Sequence, residues 1–355
     1  MKELCYIVQG ITFLKSMMPM IIFSNTVNIK PVIFFIKTRS GKNYDSLWNK
    51  KEYIENLLKD HNVSCDFRWF DNQSQVLTFM KENNHKHLVC QDAHGHGKIF
   101  CEDKEVKVYS IGVFFDTLHH ANDLKTGRLK YKSYPDRVYI PNEKFKSTFL
   151  NLCTQYNNIP VKSLGSPLYD HCLFLDTKKT HKKLVTFLVT QQSLVSKETQ
   201  IELEAFINYC HDKNISVVVK TKSRTPWGFL NSSICDKVTM IDTEEGFPST
   251  SMSLILKSSV IISSYSTAAV EAKYFGVPCI NLESVGKDKL TYAVRSIKYE
   301  YDFEDYFNSD TCITVKGNIV NAFEKLCYLK TLKNNIITRS DNSSLKILKD
   351  IRAFL

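Results

Sequence analysis

The chain has 355 residues, enough for about two domains, and its 43% apolar and 24% charged residues are ordinary globular composition. With only 12 glycines and 9 prolines it is neither collagen-like nor low-complexity. Lys and Arg number 47 against 37 Asp and Glu, a net +10 that suits an anionic partner without choosing among nucleotide, nucleic acid and acidic lipid.

The 11 cysteines include no C-x-x-C pair, so zinc ribbons, knuckles and thioredoxin-like redox sites are unsupported. Scattered single thiols read as small buried hydrophobes in a reducing cytosol. Glu3, Gln9 and Lys15 interrupt any signal-peptide core, and residues 17–23 are a short apolar stretch broken by Pro19. No run approaches the ~18 to 20 apolar residues of a membrane span. The expectation is a cytoplasmic protein, soluble or peripheral.

The predicted elements alternate along the chain. Residues 4–8 form a first strand, followed by Gln9-Gly10 and a helix from about Phe13. Residues 31–36 (PVIFFI) form a second strand, 45–60 a helix with Trp48, Ile54, Leu57 and Leu58 at apolar positions, and 63–69 a third strand. A helix at 73–81, strands at 87–90, 106–111 and 137–140, and a helix at 142–156 capped by Asn142 complete the first half. This βαβ rhythm implies a parallel sheet covered by helices.

Residues 162–178, with Gly165 and Pro167, read as a connector, and then the rhythm restarts. Strands are predicted at 184–189, 215–220, 237–241, 260–263 and 278–282, and helices at 197–213, 249–257, 267–275, 319–329 and 345–355. The expected architecture is two Rossmann-like, doubly wound parallel-sheet α/β domains, 1–160 and 181–355, joined by a linker at 161–180. Their sheets are expected to face a cleft, because ligands in open α/β sheets sit at the carboxyl ends of the strands.

The most informative segment is residues 260–282, VIISSYSTAAVEAKYFGVPCINL. It reads as strand, polar turn, helix and strand. Ser263, Ser264, Ser266 and Thr267 stand where a helix begins, and a helix N-terminus favours phosphate through its free N–H groups and partial positive charge. Glu271 lies one turn in, on the face of Thr267, where a carboxylate can take the paired hydroxyls of a ribose. A Ser or Thr cap taken alone is nearly always only a cap. The order S-S-x-S-T-x-x-x-E-A-x-x-x-G-V-P is more specific.

That order resembles the nucleotide-binding half of GT-B glycosyltransferases of the bacterial surface and capsular polysaccharide type, and the CDP-glycerol glycerophosphotransferase-like proteins. The resemblance implies that Ser264, Ser266 and Thr267 hold the donor phosphates and Glu271 the ribose. Gly165-Ser166-Pro167-Leu168-Tyr169-Asp170 also resembles the connector between that family's two domains. Many relatives carry Lys-x-His-Pro after the strand equivalent to ISVVVK. Here Lys220, Lys222 and Arg224 stand without a His, and they either supply positive charge to the leaving phosphate or form a basic solvated loop.

In the first half, Gln9 and Gly10 follow the first strand and are expected on the acceptor side. Asp92, His94 and His96 follow the strand at 87–90, among Gly95 and Gly97, and are the candidates for the base that deprotonates an acceptor hydroxyl. His94 is preferred, because relatives place a His before Gly here, with Asp92 as its orienting partner or the alternative base. His94 and His96 are a weak metal signal with no third ligand, so no metal is expected.

The resemblance implies an enzyme that moves a sugar from a nucleotide-activated donor, its co-substrate, to a glycan or lipid-linked glycan acceptor, with no bound cofactor. The charge and apolar residues near 17–23, read as exposed, are compatible with the inner face of a membrane. Three alternatives stay open: glycerophosphotransfer from CDP-glycerol, nucleotide-sugar 2-epimerisation, and nucleotide-sugar binding without catalysis. The T-x-H-R-x-E-N stretch of the epimerases is missing at residues 189–194, which counts against that option. No basic stripe with interleaved aromatics suggests nucleic acid.

Overall fold

The computed structural model describes residues 1–37, 50–92, 97–127, 133–175, 183–188, 197–221, 232–243, 245–264, 266–282, 309–332 and 342–355. The first half carries β1 (Lys2–Val8), α1 (Ile11–Ser24), β2 (Ile29–Ile36), α2 (Lys51–Asp60), β3 (Asp66–Phe70), α3 (Gln73–Glu82), β4 (His87–Gln91), α4 (Lys98–Cys101), β5 (Lys107–Ile111), α5 (Phe114–Lys125), β6 (Arg137–Ile140), α6 (Glu143–Leu152) and β7 (Val161–Ser163). The second carries β8 (Leu184–Leu188), α7 (Lys197–Asp212), β9 (Ser216–Lys220), α8 (Ser232–Cys235), β10 (Thr239–Ile241), α9 (Thr250–Lys257), β11 (Val260–Ser263), α10 (Thr267–Tyr274), β12 (Cys279–Leu282), β13 (Cys312–Val315), α11 (Ile319–Leu332) and α12 (Ser343–Arg352).

These strands form two sheets, ordered β3-β2-β1-β4-β5-β6-β7 and β10-β9-β8-β11-β12-β13. Every pairing between the named strands is parallel. Both sheets are doubly wound and Rossmann-like. Central strands of such sheets are buried on both faces and read as continuous apolar runs. Leu4 to Val8 in β1 and all of β8 are buried accordingly. Side-chain oxygens of Asn72, Asn142 and Ser249 accept from backbone N–H groups in the first turns of α3, α6 and α9. Asn28, Asn62, Asn84 and Asn214 take the left-handed backbone that turns helix ends toward the next strand. All 11 cysteines are free, with Cys5, Cys90 and Cys210 inside the two cores.

Two compact units result: Met1–His171 with Ser340–Leu355, and Cys172–Arg339. This differs from the predicted partition at two places. Val161–Ser163, predicted as linker, is the last strand of the first sheet, paired with β6. The final helix, predicted in the second domain, packs on α1 of the first unit. Asp170, fully buried, accepts the N–H groups of Ser343 (3.0 Å) and Ser344 (2.6 Å) at the start of α12. Further along α12, Asp350 accepts from Arg137 (3.2 Å), Tyr139 (2.8 Å) and Lys162.

The apolar stretch 17–23 is corrected by the same packing. Met17, Met18, Met20 and Ile21 are 0% exposed within α1, and Ile22 and Phe23 are half-buried. The stretch is mainly core, packed by β1 and α12, and only Ile22 and Phe23 are partly exposed. Among the described residues, no helix is long and apolar enough to cross one. Pro19 inside α1 cannot donate to Lys15 O, and the buried His171 Nε2 donates to that carbonyl instead, at 2.7 Å.

Candidate functional site

In each sheet one pair of neighbouring strands sends its chains to opposite sides: β1 and β4 in the first, β8 and β11 in the second. At such a switch point the connections diverge and leave a crevice beyond the carboxyl ends of the strands. Most of the described candidate residues fall at these two places.

In the second unit, β11 ends at Ser263, Ser264 follows it, and α10 begins at Thr267 behind its cap, Ser266. Ser263 is in register with Leu188 of β8 and Asn281 of β12. Ser264 is 2% exposed, and its hydroxyl donates to Leu282 O at 3.0 Å, tying the ends of β11 and β12. That proton is committed to the sheet. Ser266 is the N-cap of α10, in extended backbone, and its Oγ accepts from Ala268 N at 3.3 Å. Thr267 opens the helix, and no acidic residue in the first turn offsets the positive end of the helix dipole. Ala268, Ala269 and Ala272 are buried and let α10 lie close against the sheet. Glu271 is half-buried, one turn beyond Thr267. The turn therefore offers hydroxyl and amide donors to an anion, with a carboxylate nearby.

Lys220 ends β9, next to β8 in the sheet. It is 5% exposed and its ammonium donates to Thr221 O at 2.7 Å, so it belongs to the strand end and not to a solvated loop. Thr221 Oγ1 donates to Asp242 Oδ1 at 2.6 Å, linking the ends of β9 and β10. Sequence reasoning did not single out Asp242. Lys222 and Arg224 lie outside the described residues.

In the first unit, Gln9 is half-buried and Gly10 is the N-cap of α1. Gly10 has φ 177° and ψ 175°, extended backbone open to any residue, and a Cβ there would meet nothing within 4 Å. The feature is thus open space at a helix start, with no side-chain cap and no acid in its first turn. Ser16 Oγ donates to Gln91 Oε1 at 2.6 Å and pins α1 to the end of β4.

Asp92 follows β4 in left-handed backbone, φ 43°, which is uncommon for a residue other than glycine. It is 1% exposed, and its Oδ1 accepts from the Thr117 hydroxyl and from Val113 N (3.5 Å) at the start of α5. This carboxylate is an anchor between β4 and α5. Thr117 has no sequence signal, since it lies 25 positions from its partner. His94 and His96 lie outside the described residues.

Neither family models nor curated sequences match this chain. Among solved structures it is similar to a UDP-GlcNAc 2-epimerase from Methanocaldococcus jannaschii, with 13% identity, TM-score 0.62 and 99% of each chain covered. It is also similar to Phytolacca americana UGT2 complexed with UDP-2fluoro-glucose and pterostilbene, with 8% identity, TM-score 0.55, and 100% of this chain and 99% of that one covered. A third similar structure is the glycotransferase of kitacinnamycin, at 10% identity and TM-score 0.59, covering 99% of each chain. At these identities the likeness is one of fold. Two Rossmann-like parallel sheets, in this order and over the whole length of these neighbours, make the chain a GT-B fold protein.

Proposed function

We propose that the protein is a nucleotide-sugar-dependent glycosyltransferase acting on a glycan or lipid-linked glycan. The observation that carries this reading is the amide end of α10 at the switch point of the second sheet, capped by Ser266 and with no acid in its first turn. Neighbours of the same fold are named for UDP-sugars: one as a UDP-GlcNAc 2-epimerase, another complexed with UDP-2fluoro-glucose.

In this reading the donor diphosphate lies at the start of α10, with Ser266 and Thr267 donating to it and Glu271 taking the ribose hydroxyls. Ser264 shapes the turn through its bond to Leu282. The acceptor hydroxyl attacks the anomeric carbon as the bond to the diphosphate breaks. The charge then gathering on the leaving phosphate is stabilised by the helix end, with Lys220, Lys222 and Arg224 as the cationic supply. The first unit provides the acceptor side through Gln9 and Gly10. His94 takes the acceptor proton, oriented by Asp92, which is itself held by Thr117; His96 is the alternative base. The nucleotide sugar is the only co-substrate, and the work is done in the cytoplasm.

A 2-epimerase is the second reading, favoured by full-length likeness to a protein of that name. A glycerol phosphate donor would use the same helix end. Thermal-shift screening against UDP-, GDP-, CDP- and CMP-linked donors, followed by product analysis, separates these. An epimerase inverts C2 of a nucleotide sugar with no acceptor present. We expect one donor class to raise the melting temperature. Glu271→Ala and Ser266→Ala should weaken that donor without unfolding the chain, and unchanged affinity in both removes the site. His94→Ala should cost roughly 10²- to 10⁴-fold in turnover with donor affinity kept.

A further inference from the structure

Ser263 is the last residue of β11, and it is 0% exposed. Among the described residues its Oγ has no hydrogen-bond partner. Side chains alternate along a strand, and Val260 and Ile262 belong to the core built with α7 and α11. Ser263 therefore faces the other side of the sheet, where α10 packs, three residues before the Ser266 cap. The polar neighbours in its register are engaged elsewhere. Asn281 Nδ2 donates to Thr314 Oγ1 at 3.2 Å, and Ser264 donates to Leu282 O.

A buried hydroxyl without a partner is a net cost to folding. Alanine would fill the same space without that cost, so packing does not account for a serine here. The group that repays the hydroxyl must lie on the α10 side of the sheet, at the carboxyl end of β11. We infer that the Ser263 hydroxyl is a further ligand of the donor: it donates to a phosphoryl oxygen held at the amide end of α10. This rests on the donor site proposed above and adds to it a residue whose place in the core hides its role.

The test compares wild type, Ser263→Ala and Ser266→Ala by calorimetric titration with UDP, GDP and CDP, and by urea denaturation without nucleotide. Ser263→Ala should keep or raise the urea midpoint and weaken the nucleotide that binds wild type by about 10- to 100-fold, the range of a hydrogen bond to a charged group. A lowered midpoint would mean that the hydroxyl is satisfied within the core, and it overturns the inference whatever the affinity. Wild-type affinity in Ser263→Ala, with binding lost in Ser266→Ala, overturns this inference alone. If none of the three nucleotides binds wild type, the donor site and the inference fall together.

Discussion

Gly165 shows how one residue can carry a long-range packing decision. Its φ is +94°, and a Cβ added there would sit 2.0 Å from Ser343 Oγ and 2.9 Å from Ser343 Cβ. Ser343 is the first residue of α12, and Asp170, five positions after Gly165, accepts its N–H. The Gly165–Asp170 motif, which resembles an interdomain connector, is thus the seat of the C-terminal helix. Gly165→Ala combines backbone strain with a clash against a buried neighbour, and should cost roughly 1–3 kcal/mol. A urea midpoint equal to wild type would mean that α12 can shift away from the new methyl.

Among the elements, α1 carries a break that a distant residue repairs. Proline inside a helix removes one donor, and Pro19 cannot give Lys15 O the N–H that a helix would otherwise supply four residues on. His171 donates to that carbonyl at 2.7 Å. His171→Ala should therefore destabilise by about 1–3 kcal/mol, and by less when Pro19→Ala restores an N–H to that carbonyl. The pair should couple by at least ~0.5 kcal/mol in a double-mutant cycle. Strict additivity would assign His171 another role.

Helix α12 is held by charge as well as by apolar packing. Burial works to raise the Asp350 carboxyl, but hydrogen bonds from Lys162 and Tyr139 and the charges of Lys162 and Arg137 outweigh it and hold Asp350 below the usual carboxylate range. Burial and the bond to Asp350 push the Tyr139 phenol up, so it stays a donor. A carboxyl depressed in the folded state stabilises fully above its unfolded value, about 3.9, and that share is lost as pH falls through the folded value. Urea titrations between neutral and acid pH should show stability falling below about pH 4. Asp350→Asn should be less stable than wild type at neutral pH and less steep in acid; parallel pH profiles for the two proteins would count against this ion cluster.

For the molecule as a whole, the shared strand order of the two sheets matters more than any motif. In each sheet the order of strand addition reverses once, between β1 and β4 in the first and between β8 and β11 in the second. Gln9, Gly10 and Asp92 lie at the first, and Ser264, Ser266 and Thr267 at the second. Residues distant in sequence meet there because parallel strands must share a carboxyl edge. The two units differ in what they place at that edge. The first offers an open helix start and an anchored carboxylate, and the second a capped helix start with hydroxyls.

The sequence by itself determined the rhythm of elements. Buried parallel strands are continuous apolar runs, and caps such as Asn142 and Ser249 act within three residues, so local chemistry is enough to read them. The β11–turn–α10 segment was legible for the same reason, being contiguous. Weak local patterns escaped: β13 is four residues of CITV with three of them half-exposed, and α5 begins with aromatics that mask its period. Only the tertiary structure decided where α12 belongs, that residues 17–23 are mainly core, and that Asp92 is an anchor held by Thr117. These depend on partners such as Asp350 with Lys162, 188 positions apart, and Asp92 with Thr117, 25 apart. Burial and hydrogen-bond partners at that separation are properties of the packed chain, and no local periodicity encodes them.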